Sequence, residues 1–536
     1  MPRTWVPTNA SFRICLRPFR IIAMNPQSLS TPIQHDYNDP TVERDVERLR
    51  VWLTNLPLLD VVKTVRLVLG ALDSLNEQKL ETGKRYQLLE VFRYTAERLY
   101  ITVDPIYMRQ LNLNKSQREL ATAGVEQLLL AMAGGYKILV KALYEPATRG
   151  VSTELFGLAI NRAIEQLGYV LLDNYRCYRA IQELLFAELH QLYRYARYFG
   201  LLATTAADED EGARQSLGIA ERYHAIMLLS LTDPCRLAEG EVGLLFDILK
   251  QHAGQCRVIP GSQWPGDHAG LFLLDLGSDA PPRPCAQPGY PVEEAQEPYL
   301  LDAREALNAI RQRLDQTPVK VRMQSPEAVL LRRLLPDDAV MNQNRESRHP
   351  DNRSTSLVIG LNAIHAFLLA AIPEGVPVAE SASEGSPVES SSCRIVDTSE
   401  NGMRLAWDEG LTGDARVGDL LGIVEVDQRL QLAITRSVQI HRDAGMELGV
   451  QKIHGSCGPV YCLAQAGDES EEIRALFIPA SETDGVNATL VMATGFYEAG
   501  RPLLINSFGR KVSARAGRNI SDSSVFDRFE FSADDS

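Results

Sequence analysis

The sequence predicts an α+β multidomain protein: an N-terminal all-α helical bundle or irregular solenoid, then a C-terminal antiparallel β-barrel and a small second β-subdomain. Three observations carry this reading. At 536 residues the chain is longer than one ordinary core accommodates. Apolar residues recur at helical spacing through 39–252. After Met341 the chain breaks into short apolar runs separated by Gly and Asp turns, the texture of a small barrel.

Residues 1–38 read as a disordered extension. Arg3, Arg13, Arg17 and Arg20 stand there without a continuous apolar stretch or a small-residue cleavage site, so a signal peptide is not expected, and Met24 resembles an ordinary start. Asp39-Pro40 is an N-cap pattern ahead of Val46, Leu49, Leu53 and Leu56. Pro57 separates a second helix bearing Val61, Val65, Leu69 and Leu72, and Leu88, Phe92 and Leu99 line a third. Ser116 and Glu119 form a capping box for a long helix through Leu139. Helices over 152–171, 181–198, 217–231 and 238–252 follow, with an acidic loop at 208–211. No fixed period marks a tetratricopeptide array. Residues 253–336 read as a small mixed segment: strands at 256–259 and 270–276, a helix over 299–314 and a short helix over 328–335.

The net charge of −14 argues against a nucleic-acid polymer or an anionic membrane as general partner, while leaving room for a local basic pocket. No apolar run reaches the roughly 18 residues of a membrane span. The eight cysteines form no C-x-x-C pair, as expected of reduced thiols in a cytoplasm. No Walker loop, dinucleotide fingerprint, H-E-x-x-H or G-x-S-x-G occurs, so no catalytic residue and no metal or cofactor site is expected, and the protein reads as a non-enzyme. His190 lacks metal-ligand spacing to Glu183 and Glu188, and His365 reads as a packed histidine.

The informative stretch is 342–465. Arg345, Arg348 and Arg353 cluster positive charge in an acidic protein. A strand-like run at 356–364 and a flexible Ser/Glu/Pro insertion at 373–392 follow. A short strand then leads into Asp397-Thr398-Ser399-Glu400-Asn401-Gly402, a turn that Asp and Ser side chains could stabilise locally. Next come Val417-Gly418-Asp419, a strand ending in Arg436, and Leu448-Gly449-Val450-Gln451. Residues 466–536 form the second β-subdomain, with runs at 473–478, 488–492, 503–505, 511–514 and 526–531.

Basic residues before a first strand, D-x-S-x-x-G at a strand–strand turn, "VGD" and "LGVQ", in this order, resemble a PilZ domain. The resemblance implies a barrel that binds cyclic di-GMP, with Asp397, Ser399 and Gly402 at the turn and Arg345, Arg348 and Arg353 in the arginine segment. Guanidiniums suit that ligand, since they pair with phosphates, reach guanine O6 and N7, and stack on purines. The family pattern R-x-x-x-R is not reproduced: Arg345 and Arg348 are three apart, Arg348 and Arg353 five apart. The implied function is a cytoplasmic cyclic di-GMP effector that couples messenger level to surface attachment, type IV pilus function or motility. It would do so through protein contacts of the helical domain, with recruitment to a membrane-associated or polar assembly. The alternative is a ligand-independent scaffold with a degenerate PilZ domain in a pilus or secretion assembly.

Overall fold

Asp45, Asp60 and Glu81 start the first helices, each side chain accepting from backbone N–H groups that the first turn leaves unpaired. The computed structural model describes residues 28–533 except 37–41, 59, 105–114, 207–215, 239, 264–268, 286–296, 319–324, 335–346, 373–389, 408–414, 425–428, 442–444, 467–468, 481–486, 508–509, 521–522 and 524. Asp39-Pro40, Met24, the acidic loop at 208–211 and most of the 373–392 insertion therefore lie outside the described residues.

The chain divides into two units, the first comprising residues 1–177, 181–234 and 242–336. Its helices are α1 (Val46–Thr54), α2 (Val61–Asn76), α3 (Thr82–Thr102), α4 (Lys115–Thr148), α5 (Thr153–Arg176), α6 (Leu185–Tyr198), α7 (Ile219–Ser230), α8 (Glu241–His252), α9 (Arg304–Gln316) and α10 (Pro326–Leu334). The long α4 packs along α5 and against α2 and α3. Among the described residues only α4 is long and apolar enough to cross a membrane, and most of its apolar window is buried against these neighbours. Gly135 permits the close approach of α4 to α3, because a Cβ there would meet Leu89 and Asn76. A buried ionic network crosses the bundle: fully buried Arg162 donates to Glu165 at 2.9 Å and to Glu90 at 3.2 Å. Such a pair is tolerated because hydrogen bonds replace lost hydration.

Strands β1 (Arg257–Pro260), β2 (Leu271–Asp275), β3 (Arg283–Pro284) and β4 (Pro298–Asp302) form an antiparallel sheet in the order β1-β4-β2-β3. Tyr299–Asp302, expected as the first turn of a helix, is thus strand β4, and α9 begins only at Arg304. Leu300 and Leu301 are buried between β1 and β2, so cross-strand pairing overrides a helical-looking apolar spacing.

The second unit holds 337–536 and two loops from earlier in the chain, Tyr178–Ala180 and Cys235–Glu241. Strands β5 (His349–Pro350), β6 (Ser354–Ile359), β7 (Ser391–Thr398), β8 (Gly402–Trp407), β9 (Leu420–Val424), β10 (Leu430–His441) and β11 (Gly445–Lys452) build one antiparallel sheet. Its order is β7-β6-β9-β10-β11-β8, and pairing of β8 with β7 closes it into a barrel. Strand β5 lies on the same edge of β7 as β6. The barrel core contains Leu357, Ile395, Leu405, Trp407, Leu421, Val438 and Leu448. Tyr178 enters the same core, its carbonyl accepts from Ile440 N–H at 2.8 Å, and its hydroxyl donates to Leu237 O at 2.9 Å.

The expected strand at 356–364 ends at Ile359. Gly360, at φ +89°, turns the chain into helix α11 (Leu361–Ala370). Its apolar run reads equally well as strand or buried helix from sequence. A second closed barrel follows, β12-β13-β14-β17-β16-β15, from β12 (Gly458–Ala466), β13 (Glu469–Ile478), β14 (Thr489–Ala493), β15 (Pro502–Ser507), β16 (Arg510–Asn519) and β17 (Phe526–Ala533). It starts at Gly458, ahead of the division set at 465/466 from sequence. Val358, Leu420 and Leu432 of the first barrel, Ile364 of α11, and Leu476, Val491 and Phe526 of the second share one core.

Candidate nucleotide-binding site

The β7–β8 hairpin carries the D-x-S-x-x-G turn. Along β7, Ile395 faces the core opposite Leu405, so strict alternation would also send Asp397 inward. A bulge between Ile395 and Asp397 shifts the register. Asp397 then stands opposite Arg404, on the outer face. Gly402 opens β8 where the strand passes β11, and a Cβ there would lie 3.0 Å from Val450 O and 3.4 Å from Ser399 Oγ. Glycine is required by this approach and not by its backbone angles. Ser399 N–H donates to Gly402 O at 2.8 Å and closes the turn.

Strand β5 follows Arg348 directly and pairs with Thr398 and Asp397. That pairing sets the Arg348 guanidinium at the turn: Nη1 donates to Asp397 Oδ1 at 2.6 Å, and Nη2 lies 3.9 Å from a Cβ built on Gly402. Arg404 Nε donates to Asp397 Oδ2 at 2.9 Å. The Asp397 carboxylate, 8% exposed, is bracketed by two guanidiniums that are 47% and 46% exposed. Burial opposes its charge, but the hydrogen bonds from Arg348 and Arg404 prevail and hold the carboxyl below the ordinary aspartate value.

From the other side, Lys452 at the end of β11 pins the turn. Its Nζ donates to Ser399 O at 2.7 Å and Glu400 O at 3.3 Å, and its backbone N–H donates to Asn401 O at 2.9 Å. His454 Nε2 is 2.9 Å from Asn401 Oδ1. Arg348 and Arg404 thus flank one committed carboxylate while Lys452 sits on the carbonyls of the same turn, with Glu447 at the margin, 3.9 Å from Arg404. This surplus of positive charge, in a chain of net charge −14, suits an anionic ligand that also offers flat hydrogen-bonding edges.

The structure brings together Arg348, Asp397, Ser399 and Gly402 of the residues expected from sequence. Arg353 is engaged by Asp351 instead: its Nε and Nη2 both donate to Asp351 Oδ2, at 2.9 and 2.7 Å, and its carbonyl accepts from Ile395 N–H at 2.9 Å. Arg345 lies outside the described residues. Arg404 and Lys452 escaped the sequence reading. Arg404 stands two positions beyond the motif glycine, and only the bulge places it beside Asp397. Lys452 directly follows the "LGVQ" stretch, but it reaches the turn only through β8–β11 pairing.

Three family models match the chain: the N-terminal domain of the cyclic-di-GMP receptor FimW over residues 47–261, its middle PilZ domain over 374–459, and the FimW C-terminal β-barrel domain over 460–534. The PilZ match begins downstream of Arg348, β5, β6 and α11, although β6 completes the barrel between β7 and β9. The cyclic-di-GMP receptor FimW of Pseudomonas aeruginosa is 23% identical over 572 aligned positions, which span 94% of this chain and 93% of that protein. No solved structure matches. A helical domain, a PilZ barrel carrying D-x-S-x-x-G on its β7–β8 turn, and a second closed barrel occur here in the same order as the matched domains, and the chain belongs to the PilZ-domain family of cyclic di-GMP receptors.

Proposed function

We propose that this protein binds cyclic di-GMP on the outer face of the β7–β8 hairpin and acts as its effector. The observation that carries the reading is the bracketing of Asp397 by Arg348 and Arg404 beside the Gly402 turn. Asp397 holds both guanidiniums in place before the ligand arrives, which lowers the ordering cost of binding. Each guanidinium is half-exposed and keeps N–H groups to offer to a phosphate or to guanine O6 and N7. Ser399 and Gly402 keep the backbone low, so that a planar base can approach the hairpin. Lys452 adds a point charge at the turn and locks its shape. Arg345 belongs to this proposal as part of the arginine segment, and Arg353 as a reserve cation that would have to leave Asp351.

The output proposed is a change in protein contacts of the helical unit that governs surface attachment, type IV pilus function or motility. The setting would be the cytoplasm, with recruitment to a membrane-associated or polar assembly. Titration calorimetry with cyclic di-GMP tests the core of this reading. Micromolar or tighter binding that is weakened by Arg348→Ala and by Ser399→Ala supports it. Absence of heat at high ligand concentration from a folded protein removes it and favours a ligand-independent scaffold, a reading to which the Arg353–Asp351 pair already lends some weight.

A further inference from the structure

Residues Ser28–Asp36 run along the helical unit without regular secondary structure, yet they are held by side chains of two helices. Leu29 is 1% exposed, the apolar anchor of the segment. Ser28 Oγ donates to Gln191 Oε1 at 2.5 Å. Ser30 donates twice to Glu188 Oε1, from its backbone N at 2.7 Å and its hydroxyl at 2.6 Å. Lys137 Nζ bridges Glu188 Oε2 at 2.8 Å and Ser30 Oγ at 3.1 Å. Lys141 Nζ donates to Leu29 O at 3.3 Å and Thr31 Oγ1 at 3.0 Å. Further along, Pro32 Cδ lies 3.6 Å from a Cβ built on Gly134, and His35 forms a parallel bridge with Gln78.

This is the chemistry of peptide recognition: one apolar side chain sunk into the surface, flanked by hydroxyls and backbone groups read by charged side chains. Lys137 and Glu188 are nearly buried, at 6% and 7% exposure, and Ser30 supplies hydrogen bonds on which their charges depend. A strap needed only for stability would more simply be met by apolar residues, because a buried ion pair is weak evidence of stabilisation. We propose that the α4/α6 face, with Lys137, Lys141, Glu188 and Gln191, is a docking site for an extended Ser-Leu-Ser-Thr-like peptide segment. Residues Ser28–Thr31 are its resident and displaceable occupant. A partner protein carrying such a segment takes their place, which gives the helical unit a recognisable ligand class.

The probe is a fluorescein-labelled peptide of residues 26–36, followed by anisotropy against the full chain. The wild type is compared with a Leu29→Asp/Ser30→Ala double variant, which unseats the resident segment. Because the cis occupant leaves only a fraction of molecules competent, the peptide binds the double variant at least about tenfold more tightly than wild type. A peptide carrying the Leu29→Asp change does not bind. A double variant that keeps the wild-type melting transition but fails to bind the peptide overturns the proposal. Hydrogen exchange on the wild-type chain covers the case of a variant that does not fold. Exchange of the Ser30 and His35 amides by local opening, well ahead of the α4 amides, supports displacement. Exchange only with global unfolding makes the segment a fixed part of the bundle and overturns it.

Discussion

Replacing Arg404 by alanine separates binding from stability at the hairpin. The substitution removes the two-nitrogen contact on Asp397 Oδ2 and leaves Arg348 as the remaining guanidinium on a carboxylate that is 8% exposed. An under-satisfied charge of this kind costs roughly 1–3 kcal/mol. The low end applies, because Arg404 is half in water and its own pairing is screened. Urea denaturation should therefore show a loss of about 1 kcal/mol with an unchanged m-value. A charge-assisted hydrogen bond to phosphate or guanine contributes roughly 1.5–3 kcal/mol, so calorimetry with cyclic di-GMP should show affinity reduced about 10- to 150-fold. Arg404→Lys should recover most of the stability but little of the affinity, because an ammonium cannot present two parallel donors. If Arg404→Ala lowers stability as expected while affinity stays within about twofold of wild type, Arg404 merely buttresses Asp397, and the ligand face has been placed on the wrong side of the hairpin.

Other outcomes follow from the same geometry. Arg348→Ala should weaken cyclic di-GMP binding more than Arg353→Ala, since Arg348 sits on Asp397 and Arg353 on Asp351; paired titrations check this ranking. Gly402→Ala pushes a methyl to 3.0 Å from Val450 O and should cost roughly 1–3 kcal/mol in a urea melt by forcing β8 off β11. Tyr178→Ala empties a place in the barrel core and should cost roughly 3–5 kcal/mol, read as a lower midpoint for the barrel signal. Burial holds His365 neutral, with its value lowered from 6.5 to about 4. Between those values the unfolded chain binds more protons than the folded one, so stability is lost as pH falls through that window. His365→Gln should flatten this part of the pH–stability curve.

Much of the architecture was legible because patterning survives without coordinates. Val65, Leu72, Leu88 and Phe92 sit at helical spacing and are buried in α2 and α3 as that spacing requires. The turn motif was legible because Asp, Ser and Gly each meet a local demand of the hairpin. What sequence reading missed depends on pairing across strands. The β7 bulge decides that Asp397 faces Arg404 and not the core, and no local signal announces a bulge. Lys452 is brought to the turn by β8–β11 register. In the arginine segment residue type alone does not separate Arg348 from Arg353; Asp351, two positions upstream, gives Arg353 a partner of its own. Leu361–Ala370 was ambiguous because a short run with apolar residues on all sides suits a buried strand and a buried helix alike.

Helix α11 has consequences for how this protein can be cut and recombined. Ile364 lies in a core filled by Leu420 and Leu432 from one side and by Leu476, Val491 and Phe526 from the other. His365 ties the helix to Val460 O at 3.1 Å, just past the 459/460 boundary between the matched domains. Separation at that boundary would bare several large aliphatic side chains, each contributing roughly 1.5–3 kcal/mol when buried. A fragment ending there would expose a sticky face and aggregate, whereas one running on through Ala533 keeps this seam closed; the barrel core still draws Tyr178 from far upstream, so no cut between Tyr178 and His349 leaves it complete. The two barrels are therefore inseparable from each other, to be swapped or inherited together and with the Tyr178 loop that completes the first of them.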